Sequence, residues 1–163
     1  MILSNFASLC VAKMTGAQSS PYAKTTAGAD INGTVSINTY NPCCFWRMYG
    51  TTSNDTRIVL GDSDTPVTVD DYALGNDITS SLSFVSGITG PTRTAKSDFP
   101  SITAAFKNNT ANAITVKEVG VMTGYNFNNS SQTGQCLIAR KLITPVTIQP
   151  GESYAFTYSM SLG

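Results

Sequence analysis

The stretch SYAFTYSM at residues 153–160 decides the fold class, because large apolar side chains alternate in it strictly with small ones. Tyr154, Phe156 and Tyr158 share one parity. Successive side chains of a strand point to opposite faces, so a period of two predicts a β-strand with one aromatic face. Such a face could stack on carbohydrate. Burial in the core or against another subunit is favoured, because aromatic side chains supply much of the burial in sandwiches and interfaces.

The same alternation recurs in short segments upstream. Strands are predicted at residues 34–39, 57–60, 78–85, 101–107, 114–121 and 135–143, and residues 43–49 are a further apolar run that contains the only tryptophan. Residues 108–112 are interpreted as a hairpin connection, Thr144-Pro145 as an interruption, and residues 149–152 as a type II turn with Gly151 at its third position. Many short strands with no helical period after residue 16 predict a mainly β fold, an antiparallel β-sandwich of jelly-roll-like type.

The N-terminal segment differs from the rest of the chain. The apolar spacing of residues 2–14 predicts a short helix with one apolar face and with Ser4 as its N-cap. Because a helix this short is marginal alone in water, it must dock either on its own domain or on a partner. Residues 17–33 predict an extended arm, so the chain divides into a helix and arm at 1–33 and a β-sandwich domain at 34–163. The candidate oligomer-interface residues are Leu3, Phe6, Leu9, Tyr154, Phe156 and Tyr158.

Composition and charge exclude several classes of function. Ten basic and ten acidic residues give a net charge of zero, and charged residues are 12% of the chain, about half the usual share. Electrostatics therefore points neither to nucleic acid nor to an acidic membrane. Histidine is absent, which removes imidazole acid–base catalysis and histidine metal ligands. No apolar run is long enough for a transmembrane helix. We expect no enzyme activity and no cofactor.

Four cysteines occur, and Cys43 and Cys44 are adjacent, so the spacing of a zinc or redox pair is missing. Burial as small apolar residues is favoured. A disulfide between Cys136 and either Cys43 or Cys44 is the alternative, and free thiols are expected if the protein matures in a cytoplasm.

Two groups of charged residues are candidate sites. Half of the acidic residues lie at Asp62, Asp64, Asp70, Asp71 and Asp77. Oxygen ligands in a loop could hold Ca²⁺, but the order of ligands in an EF-hand is not met, so solvated turn and capping residues are favoured. The pairs Lys117-Glu118 and Arg140-Lys141 lie on neighbouring predicted strands, where cross-strand ion pairing is expected rather than a catalytic site.

Several motifs resemble a β-domain of virion proteins in tailed bacteriophages. They are TPVTVDDYAL at residues 65–74, ITAAFKNN at 102–109, ITVKEVG at 114–120, LIAR at 137–140 and PVTIQPGESYAFTY at 145–158. The resemblance covers about residues 58–160. It implies a structural component of the particle, in the tail, neck or head surface, whose partners are other virion proteins and copies of itself.

The resulting expectation is a homo-oligomeric virion protein, assembled in the bacterial host cytoplasm. Residues 1–33 are the candidate for reaching a neighbouring subunit, and their deletion is expected to leave a folded monomer that no longer enters particles. The alternatives are a receptor- or glycan-binding fibre module, with exposed aromatic residues in loops such as 125–134, and a carboxylate-dependent hydrolase with two acids in a cleft.

Overall fold

A computed structural model describes residues 1–5, 7, 19–32, 56–86, 98–126 and 133–161, and strands dominate these residues. The elements are β1 (Ser19–Lys24), β2 (Asp30–Asn32), β3 (Arg57–Gly61), a 3-10 helix (Thr79–Ser81), β4 (Ser83–Ser86), β5 (Asp98–Lys107), β6 (Ile114–Asn126), β7 (Thr133–Ile148) and β8 (Ser153–Ser161). The mainly β prediction is therefore confirmed. The strand predicted at 34–39 and the apolar run at 43–49 lie outside the described residues.

The longer strands form two antiparallel sheets. Sheet 1 has the order β3-β6-β7 and sheet 2 has the order β4-β5-β8, whereas β1 pairs with β2 and with no other described strand. Both sheets contribute to one main core, whose buried residues include Ile58, Val121, Ile138, Ile102 and Phe156. These apolar residues recur at a period of two along their strands, because only one face of each strand meets the core. The predicted strands at 57–60, 101–107, 114–121 and 135–143 are confirmed.

The connection at residues 108–112 was predicted to be a hairpin, and this is wrong. β5 lies in sheet 2 and β6 lies in sheet 1, so the chain crosses between the sheets here. Asn108, which is 0% exposed, holds the crossing, because its Nδ2 donates to the carbonyl groups of Ile148 and Asn112. Its backbone also bonds to Glu152 and Gly151, which ties this crossing to the one between β7 and β8.

The predicted interruption at Thr144-Pro145 is a bulge rather than the end of a strand. Val116 pairs with Val146 and Glu118 pairs with Leu142, so β7 has two more residues than β6 between these pairs. A bulge accommodates proline, which has no N–H to donate to the neighbouring strand. The predicted turn after β7 is confirmed: Glu152 N donates to the Gln149 carbonyl at 3.0 Å, and Gly151 has φ 83°.

The strand predicted at 78–85 is confirmed only at its end. Thr79–Ser81 form a 3-10 helix, and β4 begins at Ser83. The helical turn begins where Asp77 Oδ1 accepts the backbone N–H of Thr79 at 2.8 Å. The Thr79 hydroxyl in turn accepts the backbone N–H of Leu60 at 2.8 Å. These side-chain contacts hold residues 77–79 against the end of β3, so that β4 begins only at Ser83.

The first residues of the chain dock on their own domain. Ile2 bridges to Ala139 of β7, and Leu3 N donates to the Ile138 carbonyl at 3.0 Å. Leu3 is buried in a second apolar cluster with Val59, Met122 and Leu137, and the partly buried Val67 and Leu74 pack against it. The main core belongs to the opposite face of sheet 1, so this sheet is covered on both faces.

The helix predicted at 2–14 stays a prediction. Ser4, Asn5 and Ala7 have helical backbone, whereas Ile2 lies in the bridge to β7. Part of the predicted arm is the β1–β2 hairpin, and the Asn5 side chain bonds to Lys24 at the end of β1. The predicted boundary at residue 33 lies outside the described residues.

Candidate functional site

An arginine on β7 is the centre of a buried polar network. Arg140 pairs with Gly120 of β6, and its side chain is 2% exposed. Its Nε donates to Glu118 Oε2 at 2.6 Å and its Nη1 donates to Asp71 Oδ2 at 2.6 Å. Its Nη2 donates to the Thr65 carbonyl at 3.1 Å. Three acceptors in different directions suit the planar guanidinium and could not all be served by an ammonium group at one point.

Glu118 is the fully buried acid of this network. Besides Arg140, its carboxylate accepts the backbone N–H of Asn76 at 3.1 Å and that of Gly75 at 3.3 Å. A Cβ on Gly61 would collide with the Glu118 carboxylate and with the Asn76 carbonyl oxygen. Glycine at this position therefore lets residues 75 and 76 approach the sheet. The predicted cross-strand ion pairing is confirmed for Glu118 and Arg140, and it lies in the interior.

Asp71 joins the loop at residues 62–76 to sheet 1. Its carboxylate accepts the backbone N–H of Thr68 at 3.0 Å and the Thr68 hydroxyl at 2.7 Å, as expected for turn chemistry. Burial by itself raises the pKa of Asp71, but hydrogen bonds from Thr68 and Arg140 and the charge of Arg140 outweigh it, so the pKa lies below its usual value. The carboxylate therefore stays ionised and holds the loop over the sheet.

Replacing Asp71 with asparagine should lower the free energy of unfolding at neutral pH by about 1–2 kcal/mol, since a charge-assisted hydrogen bond is lost at a mostly buried group. Because the folded-state pKa is lowered, the stabilisation by Asp71 is present above its unfolded pKa of about 3.9 and is lost as the pH falls through the folded pKa. Urea unfolding from about pH 7 to about pH 2 should therefore show the two proteins converging in acid.

The exposed neighbour Asp70 provides the matched control. Asp70→Asn should stay within about 0.5 kcal/mol of the original protein throughout this range. A loss for Asp71→Asn that is equally large in acid and at neutral pH would contradict the assigned role of the charge.

The other acidic residues of this region do not converge on one point. Asp62 accepts a hydrogen bond from the Asn76 amide at 2.6 Å, Asp77 accepts the backbone N–H of Thr79 at 2.8 Å, and Asp64 forms a 3.7 Å ion pair with Lys117. No group of three or more potential metal ligands exists within the described ranges. Each of these three acids thus contacts a different hydrogen-bonding or ion-pair partner. Their placement gives no support to a calcium site.

The predicted interface residues fall into different environments. Leu3 is 1% exposed, and Phe156 and Tyr158 are each 4% exposed in the main core. Tyr154 is 45% exposed, and its ring centroid lies 4.9 Å from that of Phe156. Phe6 and Leu9 lie outside the described residues. Two of the three aromatic residues of β8 are therefore buried within this chain, and of the three only Tyr154 presents a large exposed surface.

Cys136 is a free and fully buried thiol in the main core, in agreement with the interpretation as a small apolar residue. Burial raises its pKa to about 12. The thiolate is the reactive form of cysteine. Iodoacetamide should therefore leave Cys136 unmodified in the native protein and modify it after unfolding in guanidinium, as read by peptide mass mapping. Rapid labelling of this peptide under native conditions would contradict its placement.

An open cleft lies where the 3-10 helix meets the loop before β6. It encloses about 360 Å³ and is lined by Asp62, Ile78, Ser81, Thr110, Asn112, Ala113, Ile114 and Thr115. Asp62 is its one ionisable side chain and is already bonded to Asn76. Among the described residues that line the cleft, there is thus no second acid or base beside Asp62.

The loop at 125–134, where exposed aromatic residues were expected for glycan binding, lies largely outside the described residues. No helix in the described part of the chain is long and apolar enough to cross a membrane. No protein-family model matches the chain, and no significant match is found among curated proteins or solved structures. The function is therefore inferred from the residues and their contacts.

Proposed function

We propose that this chain is a structural component of a tailed-bacteriophage particle, assembling through protein–protein contacts in the tail, neck or head surface. The observation that supports this most is that three motifs resembling phage virion domains meet in one network. Asp71 belongs to the first motif, Glu118 to ITVKEVG and Arg140 to LIAR. Arg140 bonds to both acids at 2.6 Å. A motif set whose polar members hold one another is typical of a shared scaffold.

The saturation of these acids favours a structural role over turnover. Each oxygen of Glu118 and of Asp71 accepts at least one hydrogen bond from Arg140, Thr68 or the backbone of residues 75 and 76. A general acid or base must instead face the proton that it moves. The network holds the loop at 62–76 on sheet 1, so its geometry supports a structural role.

The outer face of sheet 2 also favours assembly. Ser153, Ala155, Thr157 and Ser159 of β8 are exposed and uncharged. On this face, the hydroxyls of Thr103 and Thr157 lie 2.8 Å apart across β5 and β8. Interface centres are depleted in charged residues, so the row of small uncharged side chains along β8 is compatible with close packing by a neighbour. Lys107 of β5, opposite Ser153, is a charged residue at one end of the same face.

The finer fold that we propose is a β-sandwich of jelly-roll type. The chain crosses between the sheets from β3 to β4, from β5 to β6 and from β7 to β8. In contrast, β4 with β5 and β6 with β7 are neighbours within one sheet. Pairs of strands that alternate between two sheets are the connectivity of Greek-key and jelly-roll domains.

The test is the presence of the chain in assembled particles. Particles purified by density-gradient centrifugation from a lysate of the phage or lysogen that encodes the chain should be labelled by an antibody raised against it. Quantitative mass spectrometry of the same fraction should give a constant ratio to the major capsid protein. A chain that is found only in the unassembled fraction would contradict the proposal, and binding to a glycan array would favour the fibre-module alternative.

A further inference from the structure

Among the described strands, the two sheets have four edges, and three of these edges are protected by other described residues. At β7, Met1 and Arg140 exchange backbone hydrogen bonds and Leu3 bonds to Ile138. At β3, Ile78 N donates to the Leu60 carbonyl at 2.9 Å. β4 has only four residues, and its register is broken between Phe84 and Ser86. Short, bulged or covered edges are the usual means by which proteins avoid pairing with other chains.

The fourth edge, β8, has none of these protections in the part of the chain that the structure describes. β8 is nine residues long, pairs with β5 and contains neither a charged residue nor proline. Backbone hydrogen bonds from described residues reach β8 only from β5. The backbone N–H and C=O groups along an unpaired edge can form hydrogen bonds with another strand, and such an edge is therefore a template for pairing with a second chain.

We propose that β8 is a self-association edge that pairs antiparallel with β8 of a second copy, about a twofold axis at Thr157. The sequence SYAFTYSMS of this strand is nearly symmetric about Thr157. In this register Ser153 faces Ser161, Ala155 faces Ser159, and Thr157 faces its own copy. The small residues therefore remain on one face, and the aromatic residues Tyr154, Phe156 and Tyr158 on the other.

The chemistry of the strand favours its own copy as the partner. Twofold pairing places each residue opposite a residue of the same strand, so any charge near the axis would oppose a like charge. β8 carries no charge. Paired threonines also occur across neighbouring strands in this protein, at Thr103 with Thr157 and at Thr115 with Thr147. Pairing of β8 with β4 of another copy would instead join unlike edges and produce an open polymer.

This inference rests on the proposed assembly function for its biological use, because it names the first contact between copies. The dimer itself is measured on the isolated chain. Sedimentation equilibrium of the purified full chain should give a concentration-dependent mass that approaches twice that of one chain. Thr157→Lys should weaken the dimer at least about fivefold, since two lysines would meet at the axis.

A charge-complementation experiment makes the test specific. Thr157→Glu alone should also be weakened, and an equimolar mixture of the lysine and glutamate variants should recover dimers. Thr147→Lys is the matched control, because Thr147 is exposed, lies on the other sheet and also loses one threonine–threonine hydrogen bond. This variant should dimerise like the original chain, and thermal melts should show that all of the variants fold.

Each other outcome would overturn the pairing. A monomeric original chain would show that β8 does not pair with its own copy, and growth beyond the dimer would indicate pairing of unlike edges, such as β8 with β4. Equal effects of the substitutions at 157 and 147 would also exclude the assigned axis. Particles that contain a chain monomeric in solution would refute this inference and leave the proposed function standing. A dimer lost in Thr157→Lys, with no chain in particles, would refute the function and leave the pairing.

Discussion

Replacing Arg140 with alanine should lower the free energy of unfolding by about 3–5 kcal/mol, because the substitution leaves a buried carboxylate without its counter-charge. Glu118 is 0% exposed and would keep only the backbone N–H groups of Gly75 and Asn76. Asp71 would lose its contact with the sheet at the same time. Urea or guanidinium unfolding measures this loss. The effect is a large fraction of the stability of a typical domain.

The neighbouring residue distinguishes this effect from a general loss of positive charge. Lys141→Ala removes an exposed cation one position away and should change stability by no more than about 0.5 kcal/mol. Arg140→Lys should also be clearly destabilised, because one ammonium group cannot serve Glu118, Asp71 and the Thr65 carbonyl together.

A double-mutant cycle isolates the pair. Glu118→Gln keeps an acceptor for the backbone N–H groups but removes the buried charge, so it should recover part of the stability lost in Arg140→Ala. Strict additivity of the two single effects would mean that Glu118 and Arg140 do not stabilise each other. Such a result would also remove the main support for the structural role of the network.

The positions of most described strands were predictable, and burial of one face imposes a clear period of two on β5 and β8. The sheet to which a strand belongs was not predictable from that period. The asparagine-rich segment at 108–112 has the composition of a hairpin, yet Asn108 is buried and bonds to Ile148, which lies 40 residues away. Long-range side-chain contacts of this kind decide whether the chain turns back or crosses to the other sheet.

Only part of the network around Arg140 was predictable, because strand order places two of its members together and long-range contacts bring in the others. Glu118 and Arg140 lie on neighbouring strands, so their pairing follows from strand order. Asp71 lies 69 residues from Arg140 in a loop without periodicity, and the Thr65 carbonyl is a backbone group that no composition identifies. A signal was nevertheless present, because the motif TPVTVDDYAL contains Asp71 and belongs to the same resemblance as ITVKEVG and LIAR.

Replacing Leu3 with alanine should cost about 2–5 kcal/mol of docking free energy for the N-terminal segment, because Leu3 is 1% exposed and fills the cluster with Val59, Met122 and Leu137. The first residues can detach without unfolding the two sheets, so the loss should appear first as local opening. Hydrogen exchange should report it at the Arg140 amide, which donates to the Met1 carbonyl at 3.1 Å.

Val69→Ala is the matched control for this docking. The Val69 carbonyl accepts the Ser4 N–H at 2.9 Å, but the Val69 side chain is 52% exposed, so truncating it should leave the protection of Arg140 unchanged. Docking of the N-terminal segment on a partner alone, the alternative left open by the sequence, requires the opposite result, namely that Leu3→Ala changes neither exchange nor stability of the isolated chain. If Leu3→Ala does expose the Arg140 amide, deletion of residues 1–33 would uncover both an edge of sheet 1 and an apolar cluster. A failure of that deletion to enter particles would then reflect a damaged subunit, and only point substitutions could identify a contact with a neighbour.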